Sequence, residues 1–137
     1  MLYPIAIEVG NEQETYGIVF PDLPGCFSAG ESLEDALANS REAVEFYLED
    51  LAENDKIPPT PKSLSYWQKD PEFLGWAWSF IEIDTEPYMG KSQKINVTLP
   101  SLLIKKIDDE VKLNPTKYSS RSHFLQVVSI NQLTASK

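Results

Sequence analysis

The chain has 137 residues, which is enough for one ordinary domain, or for a domain of about 90 residues followed by a small dimeric unit. A hydrophobic content of 42% and an aromatic content of 11% argue against disorder, and no apolar run approaches the ~18 residues that a membrane span requires. The N-terminus lacks the basic segment and apolar core of a signal peptide, and Cys26 is the single cysteine, so we expect a cytoplasmic protein rather than a secreted or membrane protein.

The net charge of −9 is unevenly distributed along the chain. Residues 1–91 contain 18 acidic and 5 basic residues, whereas residues 92–137 contain 3 acidic and 7 basic residues. A uniformly negative chain would be repelled by nucleic acid, but the C-terminal part of this chain is positive. The asymmetry predicts an acidic module and a basic module that have different partners.

The first module begins with three predicted strands. Residues 3–9 and 15–20 alternate in polarity or are rich in β-branched and aromatic side chains, which predicts a hairpin around a polar turn at 10–14. The stretch 21–25 ends this hairpin, because two prolines and a glycine cannot continue a ladder of hydrogen bonds. A short third strand is predicted at 26–29.

A long helix and a last strand complete the module. The helix begins after Ser32, whose hydroxyl can cap the amide of Asp35, and the proline-rich stretch 57–61 ends it. A loop containing Trp67 follows, and residues 75–83 form the last strand. The helix has one apolar face and one acidic face. The apolar face comprises Leu33, Ala36, Leu37, Ser40, Val44, Tyr47, Leu48 and Leu51, and the acidic face comprises Glu42, Glu45, Glu49, Asp50 and Glu53. The order βββ-α-β predicts an α+β fold with one helix covering one face of a sheet.

The composition changes at residues 85–92, which we interpret as a linker between domains at 1–84 and 93–137. In the second domain, residues 94–99 alternate between polar and apolar, which predicts a strand. Pro100 is well placed to begin a short helix, and a second helix is predicted after a break at residues 114–118.

One strand and two short helices cannot bury a core alone, and a single strand exposes its whole edge. Both defects disappear if two chains pair their strands antiparallel and interlock their helices. The period of two then places apolar side chains on one face of the ribbon and polar ones on the face that fits the major groove. The predicted dimer core is Ile95, Val97 and Leu99, and the predicted DNA-contacting face is Lys94, Asn96 and Thr98. The alternative is that this strand and its helices pack on the first module within one chain.

The start of the second helix adds a predicted phosphate contact at Ser119, Ser120 and Arg121, because free amides and the positive end of the helix dipole lie there. For Arg121 a structural salt bridge is the alternative. Residues 94–100 followed by 120–125 resemble the pattern of ribbon-helix-helix repressors.

The N-terminal module resembles the HicB antitoxin family over roughly residues 1–60. The resemblance rests on Tyr3-Pro4, on 16–26 with its sequence Phe-Pro-Asp-Leu-Pro-Gly-Cys, and on 30–36. It implies a partial ribonuclease-H-like N-terminal domain joined to a ribbon-helix-helix domain. It also implies a HicA-like toxin that cleaves mRNA as the partner, and repression of the chain's own operon through operator DNA. Independently, the acidic charge of the module favours a basic protein partner.

Catalysis is not expected, because no pair of carboxylates has a spacing that suits a metal ion. The carboxylates near strand ends are Asp22, Glu31, Asp35, Glu82 and Asp84. We expect no catalytic residue, metal or cofactor. His123 is interpreted as a surface or phosphate-facing residue and Cys26 as a buried apolar one. The tryptophans at 67, 76 and 78 are expected to fill the core between sheet and helix, with one of them available for a partner.

The leading hypothesis is therefore an antitoxin that also represses its own operon. The alternative is a stand-alone ribbon-helix-helix transcription regulator whose first domain senses a ligand or oligomerises. A ribonuclease-H-type nuclease is a third hypothesis, which the carboxylate spacing opposes. DNA binding requires a homodimer, and self-association of the acidic modules would give a homotetramer.

Overall fold

A computed structural model of the chain describes residues 1–10 and 15–135. The chain divides into two compact units, Met1–Gly90 and Lys91–Lys137. Most of the polar turn that the sequence predicts at residues 10–14 lies outside the described residues. None of the described helices is long and apolar enough to cross a membrane.

The first unit contains a four-stranded antiparallel sheet. Its strands are β1 (Leu2–Glu8), β2 (Tyr16–Val19), β3 (Phe27–Gly30) and β4 (Ala77–Glu82), arranged in the order β3-β2-β1-β4. The four predicted strands and the α+β class are confirmed. β1 takes a central position because its residues are apolar on both faces, so that Tyr3 to Ile7 are all buried.

Helix α1 (Leu33–Glu53) covers one face of this sheet. As predicted, Ser32 Oγ accepts a hydrogen bond from the amide of Asp35 at 3.1 Å and so begins the helix. The predicted apolar face is also confirmed, because its residues are buried or partly buried in the core. The fully covered positions of the helix are Ala36, Ser40, Val44 and Leu48, and their partners from the sheet include Tyr3, Ile5, Ile7, Ile18 and Ile81.

β3 and α1 approach each other so closely that the last residue of β3 must be a glycine. A Cβ atom at Gly30 would lie 2.4 Å from the amide nitrogen of Ala36. Ser28 Oγ and the Asn39 side-chain amide also bridge the two elements, the first donating to Ala36 O and the second to Ala29 O.

Three short elements were not predicted. Helix α2 (Leu64–Gln68) and a 3₁₀ turn at Pro71–Phe73 lie in the predicted loop, and a 3₁₀ turn at Glu86–Tyr88 lies in the predicted linker. Segments of three to five residues are too short to show a hydrophobic period. The ring of Tyr88 packs against the core, so the first part of the predicted linker belongs to the first unit.

The second unit contains helices α3 (Ser101–Leu113) and α4 (Arg121–Thr134), which pack on each other. Its buried apolar residues are Ile107, Tyr118 and Ile130, and the ring of Tyr118 meets Phe124 edge-on at 4.8 Å. The strand predicted at 94–99 is not formed in the single chain. A strand needs a neighbour for its backbone hydrogen bonds, and within the described residues the sheet draws all its strands from residues 2–82.

Candidate functional site

The segment 94–99 presents its predicted side chains at the surface of the second unit. Lys94, Asn96 and Thr98 are exposed, but so is every other residue of 91–98, so exposure does not test the groove-facing assignment. The apolar residues between them are exposed as well: Ile95 by 77% and Val97 by 58%, while Leu99 is half-buried. Exposed apolar side chains at alternate positions indicate a surface that a partner covers.

The two helices of the second unit also carry exposed apolar side chains. Large apolar side chains stand exposed on both helices: Leu102, Leu103, Leu113, Val128 and Leu133. A unit that buries so few residues and exposes so many has an incomplete hydrophobic core.

The start of α4 is organised by a reciprocal cap. Ser120 Oγ accepts a hydrogen bond from the amide of His123 at 3.1 Å, and His123 Nδ1 accepts one from the amide of Ser119 at 3.1 Å. The amide of Ser119 is thus occupied, whereas those of Arg121 and Ser122 have no protein partner within the described part of the chain. His123 therefore has a structural role in the cap, which the sequence interpretation missed. The signal was its position three residues after a capping serine.

Arg121 joins α4 to α3. Its Nε donates to Asp108 Oδ1 at 3.0 Å and its terminal nitrogen donates to Asp108 Oδ2 at 2.8 Å. This hydrogen-bonded pairing lowers the pKa of the Asp108 carboxyl. Of the two roles that the sequence left open for Arg121, the structure shows the salt bridge. Ser119, Ser120 and Arg121 thus lie together at the start of α4. The Ser119 amide, the Ser120 hydroxyl and the Arg121 side chain each have a hydrogen-bond partner within the protein.

Asp22, in the most specific part of the HicB-like motif, anchors a neighbouring segment. The residue is buried, and its Oδ1 accepts a hydrogen bond from the amide of Lys62 at 2.7 Å. Burial raises the pKa of this carboxyl, while the Lys62 amide, the Trp67 indole and the Lys62 charge oppose the rise. Trp67 Nε1 and Asp22 Oδ2 do not reach hydrogen-bond geometry. Tyr3 donates to Pro59 O at 2.7 Å, so two side chains of the unit hold the proline-rich segment.

The remaining carboxylates that invited a metal hypothesis have structural partners or lie apart. Glu82 pairs with the terminal amine of Met1 at 3.1 Å, and Asp84 Oδ1 accepts from the amide of Glu86 at 3.1 Å. Across residues 1–10 and 15–135, no group of three or more histidine, cysteine or acidic residues could hold a metal ion. Cys26 is buried, as expected, and burial raises the pKa of its thiol to about 11.

The expectation that the tryptophans fill the core between sheet and helix is wrong. Trp78 is paired with Ala6 of β1, and side chains at these positions point away from the face that α1 covers. Trp76 and Trp78 instead pack edge-on against Phe73, with ring centroids at 5.3 and 5.5 Å. Trp67 packs edge-on against Tyr66.

The outer face of α1 carries the predicted acidic residues in exposed positions. Phe46 stands among them with 75% of its surface exposed. Phe46 was not singled out from the sequence, although its place in the helical period puts it on the acidic face.

Comparison with known proteins identifies the chain as a whole. A family model described as the HicB-like antitoxin of bacterial toxin-antitoxin systems matches residues 3–129. The chain belongs to this family. The match spans both compact units, so the HicB resemblance that the sequence predicted for residues 1–60 is confirmed and extends into the C-terminal unit.

Three relatives of this HicB-family chain are informative. A crystal structure of the antitoxin HicB3 is 32% identical and covers all of both chains with a TM-score of 0.82. An uncharacterised 14.9 kDa protein of Haemophilus phage HP1 is 38% identical over 97% of this chain and 98% of its own length. A chain in a HicA3–HicB3 toxin-antitoxin complex is 34% identical and covers 61% of this chain and 99% of its own, with a TM-score of 0.52.

Family membership also bears on catalysis. Two solved structures similar to this HicB-family chain are structures of HicB antitoxins. This agrees with the expectation that the chain is not an enzyme and disfavours the nuclease hypothesis.

Proposed function

We propose that this HicB-family chain neutralises a HicA-like, mRNA-cleaving toxin through its N-terminal unit. We further propose that it represses its own operon by binding operator DNA as a ribbon-helix-helix dimer. Both activities belong in the cytoplasm. The observation that carries the DNA-binding part is the exposed, alternating segment 94–99 beside an incomplete helical core.

Dimerisation follows from the energetics of this surface. Burying one large aliphatic side chain contributes about 1.5–3 kcal/mol, and the single chain leaves Ile95, Val97 and several leucines in water. Pairing 94–99 with the same segment of a second copy satisfies the strand edges and buries Ile95, Val97 and Leu99. If the N-terminal units also associate, two dimers form a tetramer, whose mass light scattering measures.

DNA contact follows from the opposite face of the ribbon. Lys94, Asn96 and Thr98 would lie in the major groove, where lysine, asparagine and threonine bond base edges or phosphates. The amides of Arg121 and Ser122, which have no protein partner among the described residues, lie at the positive end of α4 and suit a backbone phosphate. The C-terminal part of the chain has a net positive charge, which favours approach to DNA.

Toxin binding by the N-terminal unit is supported by charge and by comparison. Residues 1–91 carry 13 more acidic than basic residues, which attracts a basic protein and repels RNA. The chain in the HicA3–HicB3 complex covers 61% of this chain, a share similar to that of the N-terminal unit.

The test is to express the proposed toxin from a small reading frame adjacent to this chain's gene, alone and together with the full chain. The proposal predicts growth arrest with the toxin alone, rescue with both, a co-purifying complex, and a shift of operator DNA by the chain. Toxicity without rescue or complex formation would overturn toxin neutralisation. An absence of any operator shift would overturn autorepression.

A further inference from the structure

We propose that the toxin docks on the outer face of α1, in a patch formed by Phe46 and its carboxylate neighbours Glu42, Glu45, Glu49 and Asp50. The proposed occupant is the basic toxin, so this inference rests on the proposed function and adds the surface that performs it. We call these five residues the Phe46 patch.

The Phe46 patch lies opposite the buried face of α1. Phe46 is one helical turn from Glu42 and from Asp50, and Glu45 and Glu49 lie beside it on the same face. Buried positions such as Val44 and Leu48 point to the sheet instead. A phenylalanine exposed by 75% on an otherwise charged helix face does nothing for the core of its own unit.

The carboxylates of the patch have no salt-bridge partner within the part of the chain that the structure describes. Among the residues that the structure describes, the ion pairs are Met1–Glu82 and Asp108–Arg121. At one end of the patch, burial and the charges of Glu45, Glu49 and Asp84 raise the pKa of the Tyr88 phenol. The negative charge of the patch thus extends to a second aromatic ring, that of Tyr88. The carboxylates of the patch are available to pair with cations of a partner.

The exposed Phe46 ring and the carboxylates around it together indicate which kind of partner binds the patch. An exposed aromatic ring surrounded by charge is the usual arrangement of an interface anchor with a polar rim. Lysine and arginine side chains can pair with the carboxylates while their stems or cationic groups pack on the ring. Nucleic acid would be repelled by this field, and a second copy of the patch would place like charges against each other. A basic protein is the occupant that satisfies both the ring and the carboxylates.

The decisive variant is Phe46→Ala, compared with Phe27→Ala. Phe27 is a matched control because it is exposed by 68% and lies on β3, on the sheet face that α1 does not cover. Binding of the full-length variants to the toxin encoded beside the gene is measured by calorimetry. We expect Phe46→Ala to weaken binding about 10- to 30-fold and Phe27→Ala to leave it unchanged. Thermal unfolding should be unchanged in both variants, because both rings are exposed.

A charge-reversal pair separates local from overall electrostatics. Glu42→Lys with Glu49→Lys is compared with Glu8→Lys with Glu72→Lys, which changes the net charge equally at exposed positions outside the patch. The patch variant should lose at least tenfold more affinity than the control and most of its dependence on salt. The inference would be overturned if Phe46→Ala kept wild-type affinity and the two charge variants lost equal affinity. It would also be overturned if Phe27→Ala alone lost binding. If the wild-type chain itself fails to bind the toxin, the proposed function fails as well, and this result is distinct from the others.

Discussion

Asp22 places a carboxylate below the surface, where it holds the amide of Lys62 in a neighbouring segment. The sequence predicted only the end of a hairpin here, because a pattern of prolines and glycine specifies a local bend and cannot specify a partner forty positions away. The same limit applies to Arg121, whose salt bridge with Asp108 depends on how two helices meet. The cap at Ser32 could be predicted from local spacing, although the cap that involves His123 was missed, and roles that depend on packing could not be predicted.

Asp22 gives a prediction about pH. Burial raises its folded-state pKa above the ordinary value of 3.8, so the folded state binds the proton more tightly than the unfolded state. The cost of ionising Asp22 is therefore absent below the unfolded pKa and complete above the folded one. We expect the wild-type chain to lose free energy of unfolding relative to Asp22→Asn between about pH 3.5 and about pH 7. Urea unfolding at both pH values measures this difference, and a relative gain by the wild-type chain would contradict it.

Substitution of Asn96 tests whether this side chain faces the major groove. Asn96→Ala should weaken operator binding by about 1–3 kcal/mol while binding to unrelated DNA changes little, because a base contact is lost and phosphate contacts remain. Fluorescence anisotropy with operator and scrambled duplexes measures both affinities. Asn131→Ala, at an exposed position of α4, serves as the control. Unchanged operator affinity in Asn96→Ala would show that this side chain does not contact the bases.

At the scale of elements, four strands and α1 were predictable because each shows a period and a recognisable end. Ser32 begins α1 by capping Asp35, and alternation marks β1. The short helix α2 and the 3₁₀ turns escaped prediction, since they depend on individual caps such as the one that Asp70 gives to Glu72. The placement of Trp78 was wrong because a strand's alternation does not say which of its faces the helix covers.

The contact between β3 and α1 gives a prediction about stability. Gly30→Ala should lower the free energy of unfolding by about 1–3 kcal/mol, because the new Cβ would meet backbone atoms of Asp35 and Ala36 that cannot rotate away. Gly17→Ala is the matched control, since a Cβ there meets Glu8 Cβ at an ordinary 3.7 Å. Urea unfolding compares the two variants. Equal stability of Gly30→Ala and the wild-type chain would show that the two elements can separate without cost.

At the scale of the whole molecule, the chain joins an acidic α+β unit to a basic helical unit whose core is incomplete in one copy. The sequence predicts a strand at 94–99 that pairs with the same strand of a second copy. A single chain lacks this partner strand, which explains why 94–99 forms no strand there. The sequence could thus predict the division of charge between the two units, whereas the need for a dimer stays a prediction. The helical period alone places Phe46 on the acidic face of α1, and the folded helix adds the exposure on which the proposed toxin surface rests.

The Val97→Asp variant places a charge where the proposed ribbon has an apolar side chain. It tests most directly whether two copies pair through this ribbon to bind operator DNA. Its mass is measured by light scattering, its operator binding by anisotropy and its toxin rescue by growth. We expect a folded chain that no longer dimerises through this unit or binds operator DNA, because pairing would bury an unpaired carboxylate. The same variant should still rescue growth through its N-terminal unit. A Val97→Asp chain that keeps the wild-type mass and still shifts operator DNA would contradict the proposed pairing.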